Sequence, residues 1–217
     1  PLGRGPAIDG IQRERFMRTG QAVPATPDDP HALRFVACGQ PLPGHHIRIV
    51  DVTGFEVAER QEGRVEFCGP STTSGYFHNP EETRRLFRGT WLDAGDLAYM
   101  AGGEVYITGR TKDLIIRAGR NIYPQELEEA IGDIPHIRKG CVAVFGSPDP
   151  VARTERLVVL AETYETDPQI LEELRRHIDT VSTDLLGAPP DEVVLAPPHT
   201  VPKTSSGKIR RSTSREL

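Results

Sequence analysis

The chain is poor in features that mark several protein classes. Only three of its 217 residues are cysteine, Cys38, Cys68 and Cys141. They are odd in number, far apart, and without a CxxC spacing or a nearby histidine cluster, which argues against a disulfide framework or a metal site. Three buried structural thiols are the expectation. No apolar run approaches the roughly 18 residues that a membrane-spanning helix needs, and no secretory leader is visible. The reading from these absences is a cytoplasmic protein with no membrane span. A basic excess is missing too: 26 Lys and Arg stand against 31 Asp and Glu, for a net charge of −5 and an isoelectric point near 5.8. A nucleic-acid-binding domain usually shows the opposite balance, so no nucleic-acid partner is expected.

What is present is an ordinary globular composition, 37% hydrophobic and 26% charged, in a length that suits one large domain or two small ones. Residues 1–35 are rich in Pro, Gly and charge and read as loop with one short helix or strand, because such composition makes no core by itself. Between 33 and 108 the signals are those of an antiparallel β unit. Leu33-Phe35-Ala37, 46–51, 63–69 and 104–107 alternate or nearly alternate, with Gly or Pro between them. Asn79 followed by Pro80, Glu81 and Glu82 predicts a short N-capped helix. Beyond 113 helices and strands alternate: a short acidic helix at 124–131, strands at 141–146, 156–161 and 192–196, and one clear amphipathic helix. Asp167-Pro168 cap that helix and Gly187 ends it, with Ile170, Leu171, Leu174, Ile178, Val181 and Leu185 on one face. The fold class expected is therefore α+β: an antiparallel β subdomain over 1–111, then a small α+β domain over 112–217.

Three stretches carry chemistry. Between the two halves, Gly109-Arg110 leaves a strand, Lys112-Asp113 follows, and Leu114-Ile115-Ile116 runs on before Gly119 and Pro124, the grammar of a hinge. Near the end stands Pro202-Lys203-Thr204-Ser205-Ser206-Gly207-Lys208-Ile209-Arg210-Arg211. A Walker phosphate loop would need Gly where Pro202 stands and Ser or Thr where Ile209 stands, so that comparison fails. By itself the tail reads as a solvated basic terminus or a nucleic-acid patch of Lys203, Lys208, Arg210, Arg211 and Arg215. The third stretch is Trp91-Leu92-Asp93-Ala94-Gly95-Asp96, whose last residue by itself reads as an ordinary turn aspartate. The Ser/Thr/Gly-rich loop at 69–77 could be imagined as a phosphate cradle, but no Gly-Lys follows it.

Together these stretches resemble the adenylate-forming superfamily, which includes acyl-CoA synthetases, fatty acyl-AMP ligases and nonribosomal-peptide adenylation domains. The family patterns are Gly-Arg-x-Lys/Asp-Asp with a following Pro-x-Glu-(Ile/Leu)-Glu, Trp-x-x-(Thr/Ser)-Gly-Asp, and Pro-Lys-Thr-x-Ser-Gly-Lys; Ala94 departs from the hydroxyl residue of the second. The resemblance implies that Lys208 is catalytic in adenylate formation, that Asp96 accepts both ribose hydroxyls of ATP, and that Arg110 is a second ribose or phosphate contact. It implies a hinge at Lys112 and Asp113, and a thiol channel beside Gly119, Arg120 and Asn121. The family's phosphate loop and its Tyr-Gly-x-(Thr/Ser)-Glu motif are not in this sequence. The chain is thus expected to be the C-terminal part of a longer enzyme, inactive alone, with residues 112–217 as a mobile lid. ATP and Mg2+ are expected to be bound mainly by the upstream part, with no metal site here.

A finer resemblance lies at Gly20-Gln21-Ala22-Val23-Pro24 and at Cys38-Gly39-Gln40-Pro41-Leu42-Pro43-Gly44. These resemble fatty acyl-AMP ligases, which carry an insertion in this region. That implies a fatty acid substrate and an acyl carrier protein or polyketide synthase as acceptor, with CoA and an acyl-CoA synthetase as the alternative. On this reading Ile11, Phe16 and Met17 form an apolar patch that restrains the lid.

Overall fold

Strand alternation and glycine punctuation build the chain into two units, Pro1–Lys112 and Asp113–Leu217, in a computed structural model that describes residues 5–151 and 153–217. Residues 1–4, part of the stretch expected as loop, lie outside the described residues. The class is α+β.

The first unit contains β1 (Ile8–Ile11), α1 (Arg13–Thr19), β2 (Leu33–Val36), β3 (His46–Val50), β4 (Gly63–Cys68), α2 (Pro80–Leu86), β5 (Phe87–Arg88), β6 (Trp91–Ala101) and β7 (Glu104–Arg110). The order β3-β4-β6-β5 makes an antiparallel sheet, and β7 also pairs with β6. Its longest strand, β6, has 11 residues and is the axis of the sheet. Successive side chains on a strand point to opposite faces. One face accordingly buries Ile49, Val65, Ala98 and Val105. On the other, Tyr99 and Tyr106 face each other in register and stack at 5.1 Å. The predicted cap of α2 forms, with Asn79 Oδ1 accepting the Glu82 N–H at 3.1 Å.

The stretch before residue 35 holds more structure than the expected loop with one short helix or strand. It forms β1 and α1, and β1 pairs with β2 from Ile8↔Val36 to Ile11↔Leu33. Ile11, Phe16 and Ala22 are fully buried and Met17 is 3% exposed. Phe16 packs on Phe35 and Tyr99 with ring centroids 5.7 and 6.0 Å away. Asp9 accepts hydrogen bonds from Tyr99 Oη at 2.8 Å and Arg60 Nη1 at 3.0 Å, and Arg60 also reaches the Ala22 carbonyl. Ile11, Phe16 and Met17 are therefore not an apolar patch held out toward a lid. They belong to the core of the first unit. The reason is aromatic: Tyr99 and Tyr106 leave an apolar face on the sheet, and Phe16 of α1 and Phe35 of β2 pack their rings on Tyr99. A second correction concerns cysteine, since Cys141 is buried, Cys68 half-buried and Cys38 exposed. The Cys38 N–H is used by the Val105 carbonyl at 2.8 Å, which holds the backbone at the sheet and leaves the thiol outside.

The second unit contains β8 (Ile115–Arg117), β9 (Arg120–Ile122), α3 (Pro124–Gly132), β10 (Ile137–Asp149), β11 (Thr154–Thr163), α4 (Pro168–Leu186), β12 (Glu192–Ala196) and α5 (Arg211–Ser214). β10 and β11 are antiparallel, while β11 and β12 are parallel and joined through α4. Ala143, Phe145, Val158, Leu160 and Ala196 line one face of this sheet, and Val201 and Ile209 from the tail pack on it. Val142, Val144, Leu157, Val159 and Ala161 alternate with them and are fully buried, on a sheet where α3 packs on β10 and α4 on β12. Helix α4 runs between the predicted caps: Asp167 accepts the Gln169 N–H at 2.8 Å, and Gly187 adopts φ 77°. Its buried stripe is Leu174, Ile178, Ser182 and Leu186, so Val181 and Leu185 stand beside the stripe and not on it. Ser182 tolerates burial because its hydroxyl donates to the Ile178 carbonyl at 2.7 Å.

Candidate functional site

In the first unit, Asp96 and Arg110 are brought together by register. They face each other across β6 and β7, with Asp96 Oδ1 3.6 Å from Arg110 Nε. The strand is irregular at this point. Between Arg64↔Leu97 and Glu66↔Asp93 the strand β6 spends more residues than β4, so Ala94, Gly95 and Asp96 bulge out of the ladder with β4. Gly95 sits at φ 71°, where a side chain would be strained. Asp93 holds the bulge: its Oδ1 accepts the Gly95 N–H at 2.8 Å and its Oδ2 accepts from Arg64 Nη1 at 2.7 Å. Bulges of this kind re-aim a side chain at the rim of a sheet. The Asp96 carboxylate is left about one-third exposed and Arg110 about half exposed, at 32% and 54%. Burial pushes the Asp96 carboxyl above its ordinary value; Arg110 opposes that shift and Asp93 adds to it. The pair thus offers a carboxylate with two acceptor oxygens beside a guanidinium, a suitable partner for a diol attached to phosphates.

In the second unit, Lys208 is exposed near the tip of a hairpin. Lys203 and Ile209 pair as an isolated bridge, and Arg210 N–H donates to the Pro202 carbonyl at 2.9 Å. Inside the loop, Thr204 N–H donates to the Lys208 carbonyl at 2.8 Å and Gly207 N–H to the Thr204 carbonyl at 2.9 Å. The Thr204 hydroxyl accepts the Lys208 N–H at 3.1 Å and meets the Ser206 hydroxyl at 3.0 Å. Gly207 turns at φ 81°. Threonine, serine and glycine are therefore what shape this loop, and the ammonium is its projecting group. Of the cations that could have formed a basic patch, Lys203 contacts the Cys141 sulfur at 3.1 Å and Arg211 is drawn inward.

The junction lies in a turn of 3-10 helix, Thr111–Asp113. Lys112 is exposed, whereas Asp113 is 13% exposed and accepts from Arg211 Nη1 at 2.7 Å. Gly119, Arg120 and Asn121 lie together at the turn of the β8–β9 hairpin, in which Ala118 and Gly119 adopt φ 50° and 74°. Arg120 Nη1 donates to the Leu186 carbonyl at 2.8 Å and so caps the end of α4. Gly119 lines an open groove of about 620 Å³ together with Leu114, Ile116, Pro148 and Thr154.

Two buried carboxylates were given no role by the sequence. Glu128 is 8% exposed although acidic. Arg211 grips both its oxygens, at 2.7 and 2.6 Å, and the Val144 N–H donates to it at 3.0 Å. A signal existed: Glu128 lies four residues after Pro124, beside Leu127, on the buried stripe of α3. Burial would weaken the Arg211 cation, but hydrogen bonds and charge from Glu128 and Asp113 outweigh it. Glu162, 1% exposed, is the other. It pairs with Arg138 and accepts the Val201 N–H at 2.7 Å, so fixing the start of the tail. Burial alone would raise its carboxyl, yet the Val201 and His199 N–H groups and Arg138 together hold it below its ordinary value. No comparable signal marks Glu162 in a strand read from its apolar residues.

Among the described residues no group of three or more His, Cys, Asp or Glu could hold a metal ion, and no helix is long and apolar enough to cross a membrane. No established family profile matches the chain. Individual proteins do. A protein of Caulobacter vibrioides named as an acyl-CoA synthetase is 39% identical over 217 residues, covering 99% of this chain and 37% of the relative. The medium-chain-fatty-acid–[acyl-carrier-protein] ligase JamA of Moorena producens is 32% identical over 222 residues, covering 96% of this chain and 36% of the relative. A solved structure from work on fatty acyl-adenylate ligases of E. coli and L. pneumophila superposes with a TM-score of 0.86 at 33% identity, covering 98% of this chain and 37% of that one. The chain thus spans little more than a third of the length of the proteins it matches. Motifs, fold and relatives agree that it belongs to the adenylate-forming superfamily and matches the C-terminal part of its fatty acyl-AMP ligases and acyl-CoA synthetases.

Proposed function

We propose that this chain is the C-terminal part of a fatty acyl-AMP ligase. The whole enzyme activates a fatty acid with ATP to an acyl-adenylate and passes the acyl group to the phosphopantetheine thiol of an acyl carrier protein or polyketide synthase. The observation that carries the adenylating part is the Asp96–Arg110 pair on its bulge. In this reading Asp96 accepts the ribose hydroxyls and Arg110 contacts the ribose or a phosphate. Attack of a carboxylate on the α-phosphate builds negative charge on the reacting phosphorus centre and on the leaving pyrophosphate. A lysine ammonium near the tip of a preformed loop, as Lys208 is, can neutralise that charge without strict orbital demands. Mg2+, when bound, supplies further neutralisation of phosphate charge. The described residues offer no metal-ligand cluster of their own, so the roles assigned here rest on side chains alone.

Residues 112–217 serve as a mobile lid in this proposal. The backbone swing falls on Lys112 and its neighbours, because a hinge needs a few residues able to absorb a φ/ψ change. Asp113 is the poorer pivot, being fastened to Arg211 within the second unit. Gly119 and Asn121 border the thiol path, with Arg120 steadying the hairpin from α4. The carrier-protein acceptor is supported by the name of the Moorena producens relative. A CoA acceptor is the second reading, favoured by the name of the Caulobacter relative. A cytoplasmic location goes with either.

The test uses the full-length enzyme. Given a fatty acid and ATP, it should accumulate acyl-adenylate, load a holo carrier protein, and make little acyl-CoA. Lys208→Ala should cut adenylate formation by about two to three orders of magnitude, as expected for one preorganised charge-stabilising donor. Transfer from preformed adenylate should suffer much less. Rapid acyl-CoA synthesis would overturn the ligase assignment in favour of the second reading.

A further inference from the structure

One cluster of buried charge has no role in the chemistry above. Arg211 donates through Nε and Nη2 to the two oxygens of Glu128 on α3, and through Nη1 to Asp113 at the first residue of the second unit. The three side chains are 13%, 8% and 13% exposed in the order Arg211, Glu128, Asp113. Arg211 also follows Lys208 by only three residues. Between them Ile209 packs on the sheet core, and Arg210 N–H closes the hairpin on the Pro202 carbonyl. Arg211 therefore stands at one foot of the loop that carries Lys208 and grips the residue next to the proposed pivot.

We infer that Arg211 is a positioning residue for adenylate formation, whose guanidinium fixes the foot of the Lys208 hairpin to Asp113 and Glu128 so that ammonium and pivot end move as one body. The inference rests on the adenylating role proposed for Lys208. A lysine ammonium on four rotatable carbons has little directional preference of its own, so its placement is set by the loop that carries it. A misplacement of about 1 Å at a reacting centre costs on the order of a hundredfold in rate. The planar guanidinium satisfies three carboxylate oxygens at fixed angles, which a lysine at the same position could not do. The other foot is held differently, by the Lys203 contact with Cys141 and the Val201 N–H on Glu162. Neither of these reaches the hinge.

A merely structural role would be charge compensation, since two buried carboxylates without a cation are strongly destabilising. Substitutions in the full-length enzyme separate the two. Arg211→Gln should lower the kcat of fatty-acid-dependent ATP–pyrophosphate exchange about 30-fold, an intermediate fraction of the misplacement penalty. The KM for ATP and the rate of thiol transfer from preformed acyl-adenylate should stay within about threefold, because neither depends on where Lys208 points. Arg211→Lys restores the charge without the fork, so it should recover most of the urea midpoint while exchange stays at least about tenfold down. Asp113→Ala breaks one contact and leaves the Glu128 fork intact, keeping the test informative if Arg211→Gln folds poorly; about a fivefold loss confined to exchange is expected. Equal losses in exchange and transfer, or full recovery of exchange in Arg211→Lys, would overturn the inference. So would unimpaired Arg211→Gln exchange alongside a crippled Lys208→Ala. If Lys208→Ala itself exchanges normally, the role of Lys208 fails, and the positioning of it falls with that premise.

Discussion

Phe16 is the sharpest test of how the first unit is built. It is fully buried, and its ring lies 5.7 Å from Phe35 and 6.0 Å from Tyr99. Truncation of a buried phenylalanine to alanine typically costs about 3–5 kcal/mol. The two aromatic neighbours put Phe16→Ala near the middle of that range or above it, at about 4 kcal/mol. With a urea slope of about 1.5 kcal/mol per molar for a unit of this size, the midpoint should fall by about 2.7 M. The chain carries its own reporter, because its single tryptophan is Trp91 in the first unit, with the Arg48 guanidinium 4.3 Å above the ring. Tryptophan fluorescence against urea therefore reads this unit and not the second. Since total stabilities of about 5–15 kcal/mol are usual, Phe16→Ala could leave little folded unit, and Phe16→Leu is the milder companion at about 1.5 kcal/mol. A loss below about 1 kcal/mol for Phe16→Ala would mean that α1 is a dispensable cover and not part of the core. The same reasoning changes how the segment should be probed for an effect on thiol transfer. Deleting residues 11–30 would take the Phe16 ring from Tyr99 and Phe35, so a changed acyl-CoA yield in that deletion would report damage to the unit.

Two further predictions follow from buried or half-buried carboxylates. The folded carboxyl of Glu162 lies below its ordinary value of 4.5, so the stability it contributes is full above that pH and is lost as pH falls through the folded value. Glu162→Gln should therefore unfold at lower urea than the parent at pH 7, with the gap narrowing as pH falls below 4.5 through the folded value, followed by far-ultraviolet circular dichroism; a gap that stays constant over that fall would refute the assignment. Asp96→Asn should raise the KM for ATP in the full-length enzyme by about 10- to 100-fold, the worth of hydrogen bonds to a charged acceptor. Its unfolding midpoint should barely move, because the Asp96 carboxylate meets Arg110 only at 3.6 Å; an unchanged KM would remove Asp96 from the nucleotide site.

Elements whose signals were local could be read from the sequence. Asn79 with Pro80 and Asp167 with Gly187 bracket α2 and the long helix α4 where the caps predict, and Glu192–Ala196 is the strand expected there. Elements whose stability comes from distant partners could not. Arg13–Thr19 looks like charged connecting sequence because its two core residues are adjacent, and its helix exists for the aromatic face of Tyr99. Likewise Leu114-Ile115-Ile116 reads as a short apolar run ending at Gly119, whereas a turn through Ala118 and Gly119 folds residues 115–122 into a hairpin. The outer parts of β10, Ile137–Asp149, were hidden by Arg138 and Lys139, which turn out to pair with Glu162 and Asp133. At the candidate site the motif residues were recognisable by type and order, but their geometry was not. Asp93 and Gly95 supply a local turn signal, but that the turn is a bulge within β6 depends on its pairing with β4, and that Arg211 turns inward depends on Glu128 and Asp113.

The grip of Arg211 on Asp113 has a consequence for synthesis. The two residues are 98 positions apart, so they close a loop around nearly the whole second unit. As the chain emerges from the ribosome, Asp113 and Glu128 appear early, and their carboxylates cannot be buried without the cation that arrives last. That corner of the unit must stay open to water until Arg211 is released. The second unit is thus expected to acquire its final form in one late step, with Lys208 already exposed by then. Chains truncated before residue 211 should remain protease-sensitive around 113–128, and released chains that include Arg211 should protect the same stretch.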